Sequence, residues 1–240
     1  MLAMSKTPLR ISFFGGGTDY PEYFKTEPGG GCVIGMAIDK YIYTSVLGLQ
    51  SFIDYKFRAA YSRLEMVTDV EQIQHPVIRE VLKHYRVEKP LDFSILSDLP
   101  SRTGLGSSSA FTVGLVNLIT HLRRERLTKL DLAETAIFFE REVLKERVGV
   151  QDQYHAAFGG INRFDFGANR TYITPVRMTG RAQERLEKST VLIYTGSARY
   201  ASQVLDEQMK NLNDGKIALE LGEMRGLVDA AHRLRCRFWK

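Results

Sequence analysis

The run Pro100-Ser101-Arg102-Thr103-Gly104-Leu105-Gly106-Ser107-Ser108-Ser109-Ala110 constrains this chain more than any other stretch, because it carries a glycine-bearing loop into a helix start just after a strand-like segment, Leu91 to Leu96. Gly104 and Gly106 reach left-handed backbone conformations with no Cβ in the way, so backbone N–H groups can close around an anion. Ser107, Ser108 and Ser109 then bring hydroxyls to the start of the apolar run Phe111 to Leu122, where unpaired N–H groups and the helix dipole favour negative charge. The run reads as a phosphate cradle. A Walker A loop needs Gly-Lys followed by Ser or Thr, and a dinucleotide fingerprint needs GxGxxG, and neither spacing is met. Taken alone, the same residues also fit an ordinary serine-capped helix after a glycine turn.

The rest of the chain supplies a soluble α+β setting for that loop. β-Branched and aromatic runs predict strands at Leu9 to Phe14, Cys32 to Ile38, Tyr41 to Leu47 and Leu91 to Leu96. Helical periodicity follows at His75 to His84, Ala110 to Arg124 and Leu130 to Glu146, with a turn at Asp69 to Gln72. Ile161 to Asp165 and Arg170 to Pro175 read as a hairpin around Gly167-Ala168-Asn169. Beyond Ser189 a new strand, Thr190 to Thr195, and a helix, Ala201 to Leu212, are expected, with a last helical pattern at Met224 to His232. The domain boundary is placed there, giving domains 1–187 and 188–240.

A net charge of +5 without a basic patch interleaved with aromatics argues against nucleic acid. Cys32 and Cys236 lack metal-ligand spacing and exclude a disulfide framework, which suits a reducing cytoplasm. No apolar run has membrane-spanning length, so no membrane partner is expected.

Two further segments bear on the loop. Thr7-Pro8-Leu9-Arg10-Ile11-Ser12-Phe13-Phe14-Gly15-Gly16-Gly17-Thr18-Asp19-Tyr20 takes a strand with one arginine into a glycine run and an acidic residue, and Val148-Gly149-Val150-Gln151-Asp152-Gln153-Tyr154 sets a carboxylate between two amides. Together with the serine loop, and in this order, they resemble the GHMP kinase superfamily, named for galactokinase, homoserine kinase, mevalonate kinase and phosphomevalonate kinase. The resemblance covers roughly residues 6 to 212, and the GGGTDY and QDQ wording is most similar to its sugar-kinase branch acting on heptose 7-phosphate.

That resemblance implies a two-domain GHMP architecture with a ribosomal protein S5 domain 2-like N-terminal domain. It implies ATP- and Mg²⁺-dependent phosphorylation of a hydroxyl on a sugar or sugar phosphate, foremost a heptose 7-phosphate at its anomeric position, with galactose- or fucose-like acceptors as the alternative. Gly104, Leu105, Gly106, Ser107, Ser108 and Ser109 would bind the ATP phosphates. Ser108, or Ser107 given the triple serine, and Glu140 would hold Mg²⁺, whose preference is for hard oxygen ligands. Asp152 would orient or deprotonate the acceptor hydroxyl, with the permanently charged Arg10 keeping it ionised. Gly16, Gly17, Thr18 and Asp19 would contact the sugar, and Lys40, Arg102 and Arg163 are candidates for a distal phosphate. Read without the family, Glu140 also fits a solvated helix residue, Asp152 a helix cap and Asp19 a turn residue.

One motif of the family is missing from the sequence. Nothing after Gly196 resembles its third, Gly-Ala-Gly-Gly-Gly motif. The C-terminal domain is therefore expected to be incomplete, leaving either an active kinase or a remnant that binds nucleotide or sugar without turnover. Self-association through an uncovered core face is expected with it.

Overall fold

The structure is a computed structural model and describes residues 1–50, 54–100, 103–193 and 217–238. In chain order the elements are β1 (Leu2–Phe14), α1 (Pro21–Phe24), β2 (Gly31–Gly48), β3 (Phe57–Ala60), β4 (Leu64–Val67), a 3₁₀ turn (Val70–Gln72), α2 (Pro76–His84), β5 (Leu91–Ser97), α3 (Ser107–Leu122), α4 (Lys129–Ile137), a π-helical turn (Phe138–Val143), α5 (Gln151–Phe158), β6 (Ile161–Phe166), β7 (Thr171–Pro175), α6 (Gly180–Ser189) and α7 (Ala218–Phe238). They form two compact units that interleave along the sequence. The first comprises Met1–Leu9, Ile38–Val148 and Asp152–Phe158, and the second Arg10–Ala37, Gly149–Gln151 and Gly159–Lys240.

In the first unit the C-terminal half of β2 pairs antiparallel with β5, β5 runs parallel to β3, and β3 turns back antiparallel onto β4. Val46, Phe93 and Ala59 thus sit side by side and point into a core closed by Ile78, Leu82, Leu115, Ile119 and Phe139. Each such side chain, once fully buried, contributes about 1.5–3 kcal/mol. Helix α3 is buried almost all round, from Ser109 to Val116, as expected of a central helix that is apolar on every side. It approaches β1 at Gly114, where a Cβ would lie 2.4 Å from the Thr7 hydroxyl oxygen.

In the second unit the N-terminal half of β2 pairs with β6, and β6 with β7, as an antiparallel ladder. Val228 of α7 packs on Cys32 and Ile34 of β2. Arg163 of β6 bridges Asp165 at 2.6 Å and Asp229 of α7 at 2.8 Å.

Three sequence expectations change. The two strands expected at Cys32 to Ile38 and Tyr41 to Leu47 are one, because residues 31–36 pair with β6 and 42–48 with β5. A strand handed from one partner to the next needs no turn, and Asp39 between the halves simply faces solvent. The single helix expected over Leu130 to Glu146 is α4, N-capped by Thr128 in a capping box with Asp131, followed by the π turn. In the described part of the expected strand at Thr190 to Thr195, residues 190–193 take no strand and Val191, Leu192 and Ile193 are exposed, since β-branched residues make no strand without a ladder partner. The helix expected at Ala201 to Leu212 lies outside the described residues, while Met224 to His232 falls inside α7. The β3–β4 hairpin and α6 were not anticipated. The first has strands of only 4 residues each, and the second has no buried residue to reveal a periodic face.

Candidate active site

In the first unit, Gly104 and Gly106 have φ of 76° and 74°, the left-handed region that a side chain disfavours. The turn they make delivers the chain into α3 at Ser107, three residues earlier than the apolar pattern alone indicates. The serines therefore form the first helical turn, where N–H groups have no partner within the helix. No side chain caps this end. Leu105 packs against the core and anchors the loop. Ser107 is half-buried, Ser108 exposed and Ser109 buried.

Ser109 points inward onto Glu140. Its hydroxyl donates to Glu140 Oε2 at 2.9 Å, and Gln153 Nε2 of α5 donates to the same oxygen. Glu140 lies in the π turn, whose wider backbone bonds, such as Leu144 N–H to Phe139 O, turn Phe139 and Glu140 together into the interior. At 1% exposure this is a carboxylate removed from water. Burial raises its pKa to about 7, against the lowering effect of the nearby Thr112, Ser109 and Gln153 side chains. Its second oxygen, Oε1, is buried with no hydrogen-bond donor. A bare, buried carboxylate oxygen beside hydroxyls is the chemistry of a hard-cation site, so these residues fit Mg²⁺. Among the described residues no group of three or more His, Cys, Asp or Glu could hold a metal. A cation here would have few protein ligands and would rely on phosphate and water oxygens.

Asp152 is the second residue of α5, half-buried in its first turn, and Gln153 follows it wholly buried.

In the second unit, Arg10 is half-buried on β1, and the strand ends in a tight glycine turn. Gly15 has φ of 85°, and a Cβ there would lie 1.9 Å from the Cys32 carbonyl oxygen. The buried Thr18 hydroxyl lies 2.8 Å from Gly15 O and 3.0 Å from Cys32 O, and accepts the Cys32 N–H. Asp19, 1% exposed, accepts from Gly17 N–H at 3.0 Å, from Gln151 Nε2 at 3.0 Å and from Gln151 N–H at 3.2 Å. Gly16 and Gly17 are half-buried and Thr18 and Asp19 buried, so the first pair is the more accessible. Among the expected phosphate-binding cations, Arg163 is spent on Asp165 and Asp229, Lys40 is 3.9 Å from Asp39, and Arg102 lies outside the described residues.

Ser108, or Ser107, was expected as the serine ligand of Mg²⁺ beside Glu140, and the serine that the structure hydrogen-bonds to Glu140 is Ser109. Sequence reasoning missed Ser109 in that role, and with it Gln151 and Gln153. The signal for the amides was the QDQ wording itself, in which two amides flank a carboxylate at a helix start.

Residues 71–160 match the GHMP kinases N terminal domain. Over 227 residues the chain is 30% identical to the D-glycero-alpha-D-manno-heptose 7-phosphate kinase of Campylobacter jejuni, covering 88% of this chain and 65% of that protein. A galactokinase of Thermotoga petrophila is 30% identical over 159 residues, covering 64% of this chain and 43% of that protein. Among solved structures, a D-glycero-D-manno-heptose 1-phosphate kinase from Bacteriodes thetaiotaomicron superposes with a TM-score of 0.72 at 25% identity, covering 92% of this chain and 74% of that one. The chain thus spans just under two thirds of the first of these curated relatives and less than half of the second. The fold is that of the GHMP kinases, and residues 71–160 match the N-terminal domain of that family. The relatives named here are a sugar kinase and two kinases of heptose phosphates.

Proposed function

We propose that this chain phosphorylates a hydroxyl of a sugar phosphate, with ATP as donor and Mg²⁺ as cofactor, and that the acceptor is a heptose 7-phosphate whose anomeric hydroxyl is the nucleophile. The observation that carries the reading is Glu140: a buried carboxylate with one bare oxygen, tied by Ser109 to the turn of helix that follows the glycine loop. The heptose assignment is supported by the 227-residue likeness to the heptose 7-phosphate kinase of Campylobacter jejuni.

Phosphoryl transfer is mainly positioning and charge neutralisation. The N–H groups of Gly104 to Ser109 hold the nucleotide phosphates, with the helix dipole of α3 behind them. Glu140 and a serine hydroxyl would hold Mg²⁺, which when bound would offset the charge of the triphosphate. Asp152 accepts a hydrogen bond from the acceptor hydroxyl and takes its proton as the oxygen bonds to the γ-phosphorus. The bond from that phosphorus to the β-phosphate oxygen breaks, and ADP leaves. Arg10 takes the electrostatic role, which suits a side chain with no accessible neutral form. Gly16, Gly17, Thr18 and Asp19 form the acceptor side, where glycine backbone gives a sugar close approach.

A coupled ADP-release assay over a panel of acceptors tests this. Turnover on heptose 7-phosphate and not on galactose is expected. Turnover confined to unphosphorylated monosaccharides would replace the acceptor, and nucleotide binding without turnover on any of them would replace the enzyme by a binding protein.

A further inference from the structure

Gln153 is wholly buried, and its carboxamide is used on one side only. The Nε2 group donates to Glu140 Oε2, whereas Oε1 is buried with no donor. Glu140 Oε1 is in the same condition, so two hydrogen-bonded neighbours each keep a bare acceptor in the interior. An unmet buried acceptor costs about 1–3 kcal/mol. A donor side chain at either position would have met the need, and Ser109 and Thr112 are close enough to serve Glu140, yet both bare oxygens persist. Two neutral or anionic oxygens that lack protons to accept are complementary to a positive centre, and amide carbonyls are good ligands for hard cations.

We infer that Gln153 is itself a ligand of the divalent cation, its Oε1 joining Glu140, while its Nε2 fixes the carboxylate for the task. This deepens the reading given above and rests on it. Because Gln153 directly follows Asp152, the same helical turn would carry the base and a cation ligand. Cation binding and the placement of the base would then be linked through the backbone of α5.

Titration of the full chain with Mn²⁺ at saturating ADP, with free Mn²⁺ followed by its electron paramagnetic resonance signal, reads cation affinity without requiring turnover. Gln153→Leu is expected to weaken Mn²⁺ binding by about 10- to 100-fold, the range seen when groups supporting a metal site are removed. Gln153→Glu keeps an oxygen and is expected to bind Mn²⁺ at least as tightly as the unaltered chain. Affinity in Gln153→Leu within twofold of the unaltered chain, beside a large loss in Glu140→Gln, would overturn the inference and leave the Glu140 assignment standing. No loss in either variant would overturn both. Should Gln153→Leu fail to fold, judged by its circular dichroism melt, Gln153→Glu decides alone, and weaker binding there would overturn the inference.

Discussion

Asp19 and Gln151, 132 positions apart, are joined twice: the backbone N–H of Gln151 reaches one carboxylate oxygen and its side-chain Nε2 the other. With Val150 N–H donating to the Asp19 carbonyl at 3.1 Å, the glycine turn after β1 holds the three residues that lead into Asp152. These hydrogen bonds are buried, and they leave the chain before Asp152 little freedom.

Gly149 is the weak point of that join. A Cβ there would lie 2.0 Å from Asp19 Oδ2, so Gly149→Ala has to displace the carboxylate or the loop. The expected cost is about 1–3 kcal/mol of stability together with a fall in kcat larger than any change in the KM for ATP. Denaturant unfolding and steady-state kinetics check it, and unchanged stability and turnover would contradict the role given to the Asp19–Gln151 pair.

Glu140 predicts a pH dependence whose sign follows from its raised pKa. The folded state binds the proton up to about pH 7, whereas an ordinary glutamate releases it near 4.5. Between those values the native state carries the extra proton. In the cation-free protein the contribution of Glu140 to stability is therefore greatest below about pH 4.5, falls as pH rises toward 7, and above it is a penalty on the order of 3 kcal/mol. Melting in the presence of a chelator should show this decline, and Glu140→Gln should flatten it. A decline of equal size in the variant would locate the titrating group elsewhere.

Cys32 is buried at 1% exposure, and burial, reinforced by the nearby Asp165 carboxylate, pushes its thiol well above the usual range. The thiolate is the reactive form, so Cys32 should be inert in the native protein. In a Cys236→Ser background, Ellman's reagent at pH 8 should find no thiol until denaturant is added. Rapid native labelling would contradict the packing of Val228 over β2.

Helices α2 and α3 each end in an exposed arginine with positive φ, Arg86 at 49° and Arg124 at 65°. Each sits where a left-handed residue closes the helix, with Val87 N–H on Leu82 O and Glu125 N–H on Thr120 O, both at 2.9 Å. Glycine adopts that conformation without the penalty of a Cβ. Arg86→Gly and Arg124→Gly should each stabilise the chain by about 0.5–1 kcal/mol, seen as a higher urea midpoint with unchanged slope. A lower midpoint would show that the side chains contribute more than the backbone gains.

The sequence was most legible where local chemistry and tertiary role agree. The glycine loop, the α3 start and the β6–β7 hairpin all carry turn residues that the final structure uses. It was less legible where a partner decides the outcome. Asp39-Lys40 looks like a strand break, and only the exchange of β6 for β5 shows that β2 continues. The triple serine left open which hydroxyl would face the cation, and it hid the contact of Ser109 with Glu140, because helical phase is fixed by where Gly106 ends the loop, and that phase turns Ser109 inward. Asp19 reads as a turn residue or a sugar ligand, since nothing local reveals a partner as distant as Gln151.

The proposed function requires that Asp152 align and deprotonate the acceptor while the Ser107–Ser109 turn and Glu140 hold the nucleotide and its cation. Rapid-quench single turnover of the full chain with radiolabelled ATP and heptose 7-phosphate, comparing Asp152→Asn with the unaltered chain, tests it most directly. The account predicts a loss of about 10²–10⁴-fold in the chemical step, as for removal of a positioned base, with ATP affinity unchanged within a few fold. Phosphoryl transfer in Asp152→Asn at the unaltered rate would contradict it.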